Sequence, residues 1–205
     1  MAYELLRTYI RQQLLQEGRK WVGDIAPMHK VLIEYSGDDY IDISVVHQDA
    51  DNGLEGPEEG DGDYMHMEIV RWPQYNKNCL NGWMVLGSAA ANSWGPLLYD
   101  IAMEWATQHG GGLFADRSSV SKEAYNIWSY YMNNRSDVEV IQLDDENDSF
   151  ENGPEDDCAQ ETTKIWANKT NRPNWTDDPL SKLYRKKVPE SLEHLKKLGK
   201  LIVRK

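Results

Sequence analysis

Phenylalanine is nearly missing from this 205-residue chain: there are two, against eight Trp and eleven Tyr. The aromatic content is therefore carried by rings with a polar handle, which suit half-wet surfaces and interfaces as well as cores. Cysteine is scarce too, with Cys79 and Cys158 alone. Two are too few for a disulfide scaffold, and they lack metal-ligand spacing, so a reducing, cytosolic setting is the default. Cationic charge is in deficit, with 22 Lys and Arg against 34 Asp and Glu and a net charge of −12. That argues against a general nucleic-acid grip, which needs a basic face, and against docking on an anionic membrane. No apolar run approaches 18 residues, so no spanning helix is expected. The start, Met-Ala-Tyr-Glu-Leu-Leu-Arg, lacks the basic and apolar regions of a signal peptide.

What is present reads as an α/β order. Residues 2–17 place Leu5, Leu6, Tyr9, Ile10 and Leu14 at helical spacing, with Gly18 as a stop. Strands are expected at 31–35 and 40–46, a hairpin candidate, and at 64–72. Between the last two, residues 49–63 are rich in Gly and acid and read as a long exposed loop. Residues 73–81 read as a turn, and 82–89 as a buried strand. Gly95 and Pro96 suit a helix start, and Leu97, Leu98, Ile101, Ala102 and Trp105 line one face as far as Gly110. A short strand follows within 113–121. Ser121 is placed as the N-cap of a further helix whose inner stripe is Ala124, Ile127, Trp128 and Tyr131. Residues 137–144 read as a strand.

Beyond that point the pattern fades. Residues 144–161 hold nine acids, which marks a solvated segment. Residues 181–205 swing to nine Lys or Arg against two Glu, with a short helix suggested by Leu192, Leu195 and Leu198. That basic tail is either an ordinary solvated helix or a segment that docks on an acidic surface. Asp156, Asp157 and Cys158 lack the partners that a metal site requires, so no metal site is expected.

The stretch "SAAANSWGP", residues 88–96, raises a sharper question. A strand that ends in tiny residues and feeds a helix N-terminus can admit a phosphate, because free N–H groups and the helix dipole favour anions there. Close packing of helix on strand explains small residues equally well.

The run "AANSWGPLLYDIAMEWA" followed by "SKEAYNIWSYYMNNRSDVEVIQL" resembles the GCN5-related N-acetyltransferase (GNAT) superfamily over residues 64–144, and is similar to small GNAT-like proteins of tailed bacteriophages. The family's Gln/Arg-x-x-Gly-x-Gly/Ala loop falls on Ala90, Ser93 and Gly95. Its second-helix Asn and Ala fall on Ser121 and Ala124, and its tyrosine on Trp128. The resemblance implies a GNAT-like mixed central sheet flanked by helices, with an N-terminal helix and a C-terminal extension. Residues 1–144 form the domain, and 145–205 an acidic loop and basic helical extension. It implies acetyl-CoA held by Leu86, Ser93, Trp94, Gly95 and Leu97, and transfer of its acyl group to an amine or protein acceptor. Glu68 is the candidate base, with His66 two residues away on the same strand face; Tyr130 and Tyr131 lie near the missing tyrosine, and Tyr131, which shares the inner stripe with Trp128, is the candidate phenol. A host cytoplasmic or virion location follows.

Two other functions fit the same residues. One is a non-catalytic GNAT-fold component that binds other phage structural proteins. The other is an acidic decoy for a basic host protein. Neither nucleic acid nor membrane is an expected partner.

Overall fold

The computed structural model describes residues 19–49, 53–55, 64–71, 79–91, 93–117, 120–143, 158 and 175–205. The expected helix at 2–17 and the acidic segment at 144–161, apart from residue 158, lie outside the described residues.

Between residues 19 and 143 the described elements follow the sequence pattern, β3 excepted. Strands β1 (His29–Tyr35), β2 (Tyr40–Asp49), β3 (Gly53–Glu55), β4 (Met65–Val70) and β5 (Trp83–Ala90) precede helix α1 (Gly95–His109). Strand β6 (Leu113–Ala115), helix α2 (Lys122–Asn134) and strand β7 (Val138–Gln142) come next. Strand β8 (Lys182–Lys186), helix α3 (Glu190–Lys197) and strand β9 (Leu201–Arg204) complete the chain. The result is an α/β fold: an open mixed sheet in the order β7-β8-β6-β5-β4-β2-β1-β9, with the three helices packed against it and β3 attached to β2. The pairs β5–β6 and β1–β9 are parallel; the others are antiparallel. Among the described residues no helix is long and apolar enough to cross a membrane.

Alternation sets the two faces. In β2 and β4, Ile41, Ile43, Met65, Met67 and Ile69 point to the helix side and form the main core. Their neighbours Asp42, Ser44, His66 and Glu68 point to the other side. A second, smaller core on that far side joins Val70, Met84, Phe114 and Leu183.

Four expectations are corrected. Residues 49–63 are not wholly a loop, because Gly53–Glu55 pairs antiparallel with His47–Asp49; a ladder needs backbone groups and no apolar pattern. Cys79 and Cys158 form a disulfide across 79 positions of sequence, a proximity that spacing along the chain does not reveal. Residues 181–205 are not a helix alone. Strand β8 slots between β6 and β7, and β9 pairs with β1 at the opposite edge. Finally, α1 is buried on more than one stripe: every residue from Leu97 to Ala106 is buried, Asp100 and Glu104 included.

The glycines after α1 do more than end a helix. A Cβ on Gly111 would fall 1.7 Å from the Leu80 carbonyl oxygen, and Gly112 takes φ +129° against the Tyr184 carbonyl. The chain therefore turns tightly into β6, which starts beside the first residues of β5.

Candidate functional site

The site begins with an incomplete pairing. Strand β5 is bound along its length to β4, from Val70↔Met84 to Met65↔Ala90. On its other side it pairs with β6 only at Trp83, Met84 and Val85. Beyond Val85, β6 gives way to a loop, and from Leu86 to Ala90 β5 has no described strand on that edge, only β4 on the other. The sheet opens there into a wedge at the C-terminal ends of two parallel strands, where ligands of open α/β sheets bind.

Within the wedge, the β4–β5 register skips a residue. Glu68 faces Gly87 and Ile69 faces Val85, so Leu86 is a bulge on β5. Bulges re-aim the local backbone and cluster near active sites.

The wedge holds a cavity of about 230 Å³ lined by Leu86, Gly87, Ser88, Tyr99, Asp116 and Trp128 among others. It continues into a second cavity of about 400 Å³ over the first turn of α1, lined by Ala89, Ala90, Ala91, Ser93 and Gly95. The two share Ser88, Tyr99, Ser121 and Ala124. The floor is low because its side chains are small. Trp94 at the N-cap of α1 makes no capping bond from its side chain, and Pro96 follows in the first turn. Glu123 is the one charged side chain among the described residues that line the outer cavity. Helix α2 begins across the cleft with Ser121, whose Oγ accepts from Ala124 N at 3.2 Å, as its sequence position predicts.

Of the five residues tied to a cofactor by resemblance, Leu86, Ser93 and Gly95 line the cleft. Trp94 and Leu97 are each 1% exposed and belong to the main core. Ser93 takes φ +74°, a conformation that favours glycine.

The two catalytic candidates are not brought together. Glu68 stands on the sheet face away from the helices. Tyr131 is buried on the helix side, its hydroxyl donating to Asp100 Oδ1 at 2.8 Å with the Pro96 carbonyl at 3.0 Å. Burial, with Asp100 beside it, holds the Tyr131 phenol well above its ordinary pKa. Trp128 packs edge-on to Tyr99 at 5.2 Å between ring centres. Tyr99 is the phenol that reaches the cleft, and its hydroxyl lies 3.1 Å from Ser88 Oγ. Sequence reasoning missed it because Tyr99 falls off the 97–98–101–105 stripe of α1. The only signal was its place in the second turn of the helix, four residues after Gly95 and the small-residue loop.

Glu68 has close company. Asp42 lies directly opposite it on β2, and His66 Nε2 is 2.6 Å from Asp42 Oδ2. That hydrogen bond raises the His66 pKa above its ordinary value. Tyr40 is hydrogen-bonded to Glu68, and burial together with that carboxylate pushes its phenol up to about 12. Gly87, on the wedge side of Glu68, leaves the carboxylate uncovered: a Cβ there would sit 3.9 Å from Glu68 Oε2. The far face therefore gathers a base-bearing cluster next to the bulged strand that borders the wedge.

Compared with known protein families, curated proteins and solved structures, the chain matches none of them.

Proposed function

We propose that the chain is a GNAT-like, acyl-CoA-dependent N-acetyltransferase, encoded by a phage and acting in the host cytoplasm or the virion. The observation that carries this reading is the wedge: two parallel strands that part after three residues, a bulge at Leu86, and a small-residue loop leading to a helix N-terminus. The residues fit an extended pantetheine and pyrophosphate. The parted strands offer β5 backbone to a chain-like ligand. Ser88–Ala91, Ser93 and Gly95 leave room at the start of α1, where backbone N–H groups favour anions.

The bound cosubstrate supplies a thioester carbonyl. The chain's part is to orient it, to remove a proton from the amine and to donate one to the leaving thiolate. Glu68 and His66 serve as proton acceptors on the far face. Tyr99, with Ser88, replaces the tyrosine that Trp128 displaces as a proton donor within the cleft. Isothermal titration with acetyl-CoA tests the reading. Wild type gives a saturable heat, Ala91→Glu abolishes it with the melting temperature nearly kept, and Ser93→Gly preserves or strengthens it. An absence of heat at ~1 mM ligand, a Kd too weak to be useful in a cell, sinks the proposal.

The second reading is a non-catalytic component that binds other phage structural proteins. Pro96 removes one amide from the anion site, and Glu123 is the charge at its rim. Both weigh against a pyrophosphate. Loss of acetyl-CoA binding together with co-purification on phage particles favours this second reading.

A further inference from the structure

We propose that Asp42, His66 and Glu68 form a binding site for a divalent transition-metal ion of the zinc class, on the sheet face opposite the helices. The inference does not depend on a cosubstrate in the wedge, but an ion bound here takes up the lone pairs of Glu68 and His66, so ion binding and proton acceptance by these residues exclude each other.

The backbone register builds the site. Residues two apart on β4 share a face, so His66 and Glu68 project together. Pairing with β2 sets Asp42 opposite Glu68 and Ser44 opposite His66. One donor atom from each of the three lies within 4.8 Å of the others. Ligands of a four- to six-coordinate zinc-class ion stand ~3–3.4 Å apart at its usual bond lengths, so small side-chain rotations complete the set. All three side chains are half-buried, which leaves positions for water.

Charge points the same way. Across β1, β2 and β4 the register lines up three carboxylates, Glu34, Asp42 and Glu68. Like charges directly opposite one another destabilise a sheet. Glu34 is relieved by Arg204 at 2.9 Å. The nearby Arg71 is bound to Asp39 and the His109 carbonyl. Among the described residues, the ion-pairing partner left to Asp42 is His66, and Glu68 has the Tyr40 hydroxyl. Two carboxylates thus share one imidazole. A divalent ion held by neutral imidazole and two carboxylates closes that deficit, where a proton on His66 closes only half of it.

Space and donor chemistry complete the case. On the β5 side the trio faces Gly87 and Ala89, whose small size leaves it uncovered by that strand. One nitrogen and two oxygens suit Zn²⁺, Mn²⁺ or Fe²⁺ and fall short of the oxygen-rich cage that Ca²⁺ needs. The Tyr40 hydroxyl on Glu68 is the kind of outer partner that orients a ligating carboxylate.

The test uses the full-length protein stripped with a chelator and titrated with Zn²⁺, and separately with Co²⁺ followed by visible absorption. The expected result is one tight site per chain. His66→Gln and Asp42→Asn are each expected to weaken it at least a hundredfold while retaining the far-ultraviolet spectrum, and Glu34→Gln leaves it unchanged. The Co²⁺ complex shows nitrogen and oxygen ligation that disappears in His66→Gln. Zinc binding that survives His66→Gln, an absence of binding by the folded wild type, or a preference for Ca²⁺ each overturns the proposal. Glu68→Gln gives a second route should Asp42→Asn fail to fold.

Discussion

Two clusters of carboxylates and cations lie on opposite faces of one sheet, and they are closed to different degrees. On the helix side, Asp100, Glu104 and Asp137 meet Arg19, Arg135 and Lys186. Lys186 Nζ lies 3.2 Å from Asp100 and 2.7 Å from Asp137, and Arg19 and Arg135 reach Asp100 at 2.8 and 3.1 Å. Glu104, fully buried, accepts the backbone N–H groups of Ser191 and Leu192 at 2.9 and 2.7 Å, and so caps α3. Three negative groups face three positive ones, and the lone pairs of the two buried carboxylates are taken up. On the far side, His66 pairs with Asp42, Glu68 beside them takes the Tyr40 hydroxyl, and all three of Asp42, His66 and Glu68 stay partly exposed. The first cluster is a structural tie that joins α1, the turn between α2 and β7, β8 and α3. Among the described residues, the second pairs two carboxylates with a single imidazole, and that imbalance is what the proposed metal site rests on.

The contrast breaks most visibly at Lys186, 4% exposed in its side chain. Lys186→Ala leaves an uncompensated charge inside the helix-side cluster and is expected to cost roughly 3–5 kcal/mol. Urea unfolding measures it, and a cost below ~1 kcal/mol would mean that the cluster is not a tie. Glu104→Ala strips the cap from α3 and leaves two buried amides without an acceptor, at roughly 1–3 kcal/mol. Faster amide exchange confined to α3 and β9 is the accompanying readout.

Asp137 tests the cluster at its rim. Hydrogen bonds from Arg135, reinforced by Lys186, hold its carboxyl well below the usual range. A carboxyl lowered on folding contributes stability above its unfolded pKa and loses it as pH falls through the folded value. Asp137→Asn therefore costs up to ~1 kcal/mol at neutral pH, given its partial exposure. The gap to wild type closes as pH drops below about 4. An unchanging gap contradicts the assignment.

The smallest effect has the opposite sign. In metal-free protein, Glu68→Gln removes a like-charge pair and is expected to stabilise by roughly 0.2–1 kcal/mol. A destabilisation of that size or more would make the far cluster a second structural tie and erase the difference between the faces.

Several of these elements were legible in the residues themselves. The Gly95-Pro96 start of α1, the Ser121 cap of α2 and the alternation of β2 and β4 depend on neighbours a few positions away, and the structure places them within three residues. The wedge was half legible: small residues at 88–91 pointed to close approach, but the parting of β5 from β6 is a fact of strand length. Strand β8 carried no period to read. Leu183 and Tyr184 are both buried because the strand is covered on both faces, while Lys182 and Lys186 are buried through their own partners. Asp100 and Glu104 fall outside the apolar stripe of α1, and nothing local announces three cations arriving from positions 19, 135 and 186.

By itself, the sequence determined that β1, β2, β4, β5, β6 and β7 pair, that α1 and α2 coil, and which residues β2 and β4 turn to one face, because those outcomes follow from periods of two and 3.6 and from caps within a turn. It placed Glu68 and His66 on one side of a strand for that reason. Register and strand order decided the rest. Only the tertiary structure set Asp42 against Glu68, parted β5 from β6 beyond Val85, joined Cys79 to Cys158, and threaded β8 and β9 into opposite ends of the sheet. Each is a meeting of residues far apart in the chain. Such meetings are selected by burial and charge balance summed over the whole fold, which no local window of sequence contains.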